Sequence, residues 1–141
     1  MSNISKMSNR YNEYNQLKYS LRSLEKYAPW VRNVYIVTNG QVPKWLNRNN
    51  SKIRLITHEE IFPNMSHLPT FSSPAIESHL HRIKNLSKMF LYLNDDFLLT
   101  APISIRDFFT FKNGYKIRLS SSVIISSPLS IFDFSIHSVI R

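Results

Sequence analysis

The chain has 141 residues, 43% hydrophobic and 13% aromatic, which suits a single domain with a core and excludes general disorder. Eighteen Lys and Arg stand against nine Asp and Glu, for a net charge of +9, but they are scattered. They read as a solvated basic surface with some pull on phosphate rather than a nucleic-acid footprint, and the absence of cysteine excludes disulfide and thiolate chemistry.

Residues 1–12 are polar and read as a frayed end. From 12 to 27, Tyr14, Leu17, Leu21 and Leu24 recur at helical spacing, and Pro29 ends the segment. Val34-Tyr35-Ile36-Val37 is a β-branched and aromatic run, read as a strand and closed by a turn at Asn39-Gly40. Residues 43–46 suit a helical turn and 53–57 a second strand, followed by an acidic turn at Glu59 and Glu60. Residues 62–71, with Pro63 and Pro69, read as an irregular loop.

Ser73-Pro74 marks a helix start, with a hydroxyl cap and proline at the first helical position. The spacing predicts a helix over 74–84 with Ile76, Leu80 and Ile83 as its apolar stripe, and Glu77, His81 and Lys84 on a neighbouring face. Residues 89–93 form a continuous apolar run, the pattern of a strand covered on both faces of a parallel sheet. The order predicts an α/β fold in layers, with 34–37, 53–57 and 89–93 in one mostly parallel sheet. Beyond about Gly114 the chain becomes a Ser/Ile mixture of low charge, and 115–141 is expected to be a divergent, poorly packed tail.

The 89–93 strand delivers Asn94-Asp95-Asp96 at its carboxyl end, where open α/β sheets bind ligands. Two adjacent carboxylates there suit a divalent cation held against a phosphate. Asn-Asp-Asp is also good turn chemistry, and adjacent strand residues face opposite ways, so one Asp alone would then meet the ligand. Glu77, expected in the first turn of its helix, gains from the macrodipole there. It is a candidate base or metal ligand, with His81 orienting it and Arg82 contacting phosphate. A short helix–strand connection would make the two antiparallel neighbours and gather Glu77, Asp95 and Asp96 in one cleft. Asn39 after the first strand and Arg22 in the first helix are weaker candidates for ligand contact.

Three stretches, YSLRSLEKYAPWVRNVYIVTNGQVPKWLN, THEEIFPNMSHLPTFSSPAIESHLHRI and FLYLNDD, resemble the second conserved region of the Stealth family. The resemblance covers about residues 15–107, and long runs agree at matched spacing. It implies a partial phosphotransferase domain at 13–114 with a nucleotide-sugar transferase-like fold. The family activity would be transfer of N-acetylglucosamine 1-phosphate from UDP-N-acetylglucosamine to mannose 6-hydroxyls of high-mannose lysosomal glycoproteins. In that reading Glu77, Asp96 and His81 are catalytic, Arg82, Asn39 and Arg22 bind substrate, and Asp95 with Asp96 holds Mg2+ or Mn2+. Sister subunits are further partners, nucleic acid is not, and the complete protein would work in the Golgi lumen.

The family's first region, a strand ending in a Trp-Val-Asn-like motif, and its third and fourth regions have no counterpart here. The isolated chain is therefore expected to show no turnover, and the alternative is a non-catalytic module binding an anion or a subunit. The opening MSNISKMSNRYNEYN lacks the apolar segment of a signal peptide, and no run approaches the roughly 20 apolar residues of a membrane helix. Taken alone, that pattern suggests a soluble, cytosolic chain. Four Asn-x-Ser sequons, at Asn3, Asn49, Asn64 and Asn85, matter if the chain enters the secretory pathway.

Overall fold

In the computed structural model, which describes residues 15–115 and the backbone of 135–140, the sheet is built around β1 (Asn33–Thr38). It pairs in parallel with β2 (Ile53–Thr57), from Val34 opposite Ile53 to Thr38 opposite Thr57. β1 is buried almost end to end and alternates between two cores. Val34 and Ile36 pack on one face with Leu17, Leu24, Ala28 and Val31. Tyr35 and Val37 pack on the other with Ile61, Phe62, Ile76, Leu80 and Ile83. Helices on both faces of a small parallel sheet make this an α/β arrangement.

The first face is covered by α1 (Gln16–Tyr27), whose Leu17, Ser20, Ser23 and Leu24 are buried. The second is covered by α2 (His58–Ile61) and α3 (Ser73–Glu77), and the three-residue 3-10 turn Leu80–Arg82 follows α3. Ile76, Leu80 and Ile83 are buried there, as their spacing predicts. The helix itself is not continuous over 74–84. The Ser78 hydroxyl donates to the Ala75 carbonyl at 2.8 Å, and His79 Nδ1 meets the same oxygen at 2.7 Å. That oxygen would serve the amide of residue 79 in an α-helix. Instead the His79 amide donates to Ile76 O, three residues back, and the α-helix stops at Glu77.

The run 89–93 shortens to β3 (Leu91–Tyr92), because a turn begins two residues later. A hairpin of β4 (Phe109–Thr110) and β5 (Gly114–Tyr115) lies outside the main sheet, with Gly114 at φ 67°. The last strand, β6 (Ser135–Ile140), lies within the stretch expected to be a divergent, poorly packed tail. Its backbone runs parallel between β1 and β3, giving the order β2-β1-β6-β3. The rest of the 115–141 stretch and the 1–12 segment lie outside the described residues.

Candidate functional site

Asp95 and Asp96 are the central residues of a turn closed by the Phe97 amide donating to Asn94 O at 3.0 Å. Asp95 is half-buried and Asp96 exposed, so the pair does not sit desolvated on a buried strand end as its sequence context suggests. The turn is held on both sides. Before it, β3 pairs with β6. After it, the Leu99 amide donates to the Ser23 hydroxyl of α1 at 3.0 Å, the Ile103 amide donates to Tyr27 O at 2.9 Å, and the Trp30 indole donates to Ile103 O at 2.8 Å.

Glu77 ends α3 rather than opening a helix, so the favourable macrodipole expected from its position does not apply. It is exposed and faces β3: the Tyr92 hydroxyl lies 2.9 Å from Glu77 Oε1 and 2.6 Å from Asn94 Oδ1. One hydroxyl proton serves one acceptor, and the carboxylate is the stronger of the two. The Asn94 contact is then best satisfied with its amide turned to donate from Nδ2 to the phenolic oxygen. The resulting chain, Asn94 to Tyr92 to Glu77, links the helix to the first residue of the acidic turn. Tyr92 was not among the residues singled out from sequence. Its signal was present: positions 92 and 94 share one side of an extended strand.

His81 and Arg82 are exposed on the 3-10 turn, and the break after Glu77 removes the helical face that would have aligned His81 with Glu77. His79 is structural, stacked on Phe62 with ring centroids 4.2 Å apart. Arg22 lies 6.0 Å from the Tyr19 ring and lines a cavity of about 620 Å³ together with Val34, Lys52 and Ile53, at the beginnings of β1 and β2. Asn39 lies at the opposite, carboxyl end of β1, beside His58 at the end of β2. The structure therefore separates Arg22 from Asn39.

Thr57 and Glu60 form a capping box around α2, with the Thr57 amide donating to Glu60 Oε1 at 2.7 Å. Burial lowers the His58 pKa below its usual value, opposed in part by the Glu59 charge. Glu59 is held low by its backbone hydrogen bond and by Thr57.

Among the described residues, no three His, Asp or Glu side chains are grouped to hold a metal, so the expected three-carboxylate cluster is not assembled. Asp95 and Asp96 alone remain a fitting donor set for Mg2+ or Mn2+. Such ions take one or two hard carboxylate oxygens from the protein and complete their shell with water and substrate phosphate. No helix of the described residues is long and apolar enough to cross a membrane.

The family pattern described as Stealth protein CR2, conserved region 2, matches residues 10–117. The subunits alpha/beta of the N-acetylglucosamine-1-phosphotransferase of Mus musculus are 53% identical over 113 residues, covering 80% of this chain and 9% of the mouse protein. An exopolysaccharide phosphotransferase of Streptomyces coelicolor is 54% identical over 100 residues, 71% of this chain and 17% of its own length. A capsular polysaccharide phosphotransferase of Haemophilus influenzae is 46% identical over 100 residues, 71% of this chain and 27% of its own length. The chain thus spans a small part of the relatives it matches.

Proposed function

The chain belongs to the Stealth family, whose members here are phosphotransferases, and on that premise we propose that it forms part of a site transferring a sugar 1-phosphate from a nucleotide sugar to a sugar hydroxyl. The finer reading takes UDP-N-acetylglucosamine as donor and mannose 6-hydroxyls of lysosomal glycoproteins as acceptor, in the Golgi lumen with sister subunits. Its support is the similarity to the mouse alpha/beta subunits. The observation that carries the reading is the Tyr92 hydroxyl, which ties Glu77 to the strand end that presents Asp95 and Asp96.

Each residue has one task in this reaction. The acceptor oxygen attacks the phosphorus bearing the sugar, the bond to the UMP oxygen breaks, and UMP leaves. Glu77 takes the acceptor proton through its carboxylate, which Tyr92 orients by donating to Oε1. Asp95 and Asp96 would hold the divalent ion, which when bound offsets charge on the pyrophosphate. Arg82 and His81, exposed beside Glu77 in sequence, are available to phosphate and acceptor oxygens.

The test is a chimera in which residues 15–107 of this chain replace the matching segment of a full-length animal relative. Transfer of labelled N-acetylglucosamine 1-phosphate to a mannoside is expected, and Asp96→Asn in the chimera should abolish it with secretion unchanged. A well-folded chimera without transfer, or an Asp96→Asn chimera at near-normal turnover, would refute the reading.

A further inference from the structure

Three Asn-x-Ser sequons lie within the described residues, at Asn49, Asn64 and Asn85, and the fold treats them differently. Asn49, Asn50 and Ser51 are all exposed, in the turn before β2. The turn is tied down by its other asparagines. Asn47 Oδ1 accepts from the Asn49 amide and Asn50 Oδ1 from the Lys52 amide, each at 3.0 Å. The Asn49 carboxamide and the Ser51 hydroxyl have no hydrogen-bond partner among the described residues. At Asn64 the same two groups are engaged. Its Oδ1 accepts from the Ser66 amide at 3.0 Å and from the Ser66 hydroxyl at 2.8 Å, capping the 3-10 turn Met65–His67. Asn85 stands at φ 65°, its carbonyl accepts from the hydroxyl of the buried Tyr35 at 3.0 Å, and Leu86 packs against the second core.

We propose that Asn49 is the acceptor of an N-linked glycan. In that transfer the Asn49 carboxamide nitrogen attacks C1 of an oligosaccharide carried on a polyprenyl diphosphate. The C1–N bond forms, the C1–O bond to the diphosphate breaks, the lipid diphosphate leaves, and the carboxamide gives one proton to a base of the transferase. The transferase must reach both the carboxamide and the hydroxyl two residues on, so the sequon with both groups free and exposed is the one the fold leaves open. The position also tolerates the bulk. The turn enters β2 at its amino end, and the sheet is parallel, so Asp95 and Asp96 lie beyond the opposite ends of the strands. A glycan on Asn64 would instead stand beside Met65, which lines a cavity with Asn39 and His58 at the carboxyl ends of β1 and β2. A glycan on Asn49 leaves that ligand end open. It also marks the edge where Asn47, Asn50 and Ser51 line the 620 Å³ cavity as facing solvent in the complete protein. That the chain meets the transferase rests on the lumenal reading; the choice of Asn49 among the sequons does not.

The test expresses the full 141-residue chain in animal cells behind a cleavable leader for the endoplasmic reticulum. The secreted chain is treated with peptide-N-glycosidase in heavy-oxygen water, which turns each glycosylated Asn into labelled Asp, and its peptides are read by mass spectrometry. Label is expected at Asn49. Asn49→Gln and Ser51→Ala should each remove one glycan step from the gel mobility, and Ser51→Thr should keep it. Where secretion fails, the same digest is made on the chain retained in the cell. Label on Asn64 or Asn85 with Asn49 bare overturns the inference, and so does a chain bare at all three. A further digest, on the chain isolated from the cells that naturally make it, separates the inference from the lumenal reading. Label at Asn49 there upholds both. A bare Asn49 there, with label in the leader-directed chain, upholds the acceptor site and removes the lumenal reading.

Discussion

The bond between Tyr92 and Glu77 can be weighed by a double-mutant cycle, Tyr92→Phe against Glu77→Ala. A hydrogen bond to a charged acceptor contributes about 1.5–3 kcal/mol when sheltered. Here Glu77 is exposed and Tyr92 half-buried, so water competes for both partners and the expected coupling falls to about 0.5–1 kcal/mol. Tyr92→Phe alone should cost more than that amount, since it removes the Asn94 contact as well, while the ring stays packed against the core cluster that holds Tyr35 and Ile83. Glu77→Ala alone should cost less than the bond itself, because it also removes an acid from the C-terminal end of α3, where the backbone disfavours one. The cycle subtracts this effect. Urea unfolding at pH 7, read by fluorescence, gives all four stabilities. Independent sites add within about 0.3–0.5 kcal/mol. A coupling below about 0.3 kcal/mol would mean that Tyr92 does not hold Glu77, and the positioning argument would fall.

Stability should fall on acidification from neutral pH because of His58. Its folded-state pKa is depressed by burial, so the stability it contributes is present above the ordinary value of 6.5, drops as pH falls below 6.5, and levels off beneath the folded-state pKa. Thermal melts between pH 8 and 5 should show this slope in the native chain and lose it in His58→Phe; equal slopes would refute it. Ser23→Ala removes the acceptor of the Leu99 amide, costing about 1–2 kcal/mol, offset by about 0.5 kcal/mol of better helix propensity. A urea midpoint that does not move would show that this bond is not what docks the segment after the acidic turn. A chain ending at Tyr115 loses β6 and leaves one long side of β1 unpaired, so it should melt lower and self-associate in light scattering. An unchanged melt would remove β6 from the stable sheet.

The two strands legible from β-branched composition, 34–37 and 53–57, appear with nearly those bounds, and so does the burial of Ile76, Leu80 and Ile83. Periodicity identifies a face because it records which side chains meet the core. It does not record which atoms take the backbone carbonyls, and the Ser78 and His79 side chains at Ala75 O decide where α3 ends. That break also explains why the shared helical face of Glu77 and His81 failed. The place of β6 was illegible for another reason. Parallel neighbours are joined by distant segments, and SIHSVI carries no local mark of its partners.

The acidic turn shows the same limit in its supports. Asn94-Asp95-Asp96 can be read as a turn from its residues, but the bonds that fix it come from Ser23 and Trp30, which lie 76 and 73 residues away from their partners Leu99 and Ile103. Those bonds, with the pairing of β3, hold the turn from both sides through contacts within the fold itself. The entropy of ordering the backbone of the turn is therefore spent in folding rather than in binding. On the proposed reading, a phosphate-bound cation would meet a turn already in place, and less of its binding free energy would go into arranging that backbone.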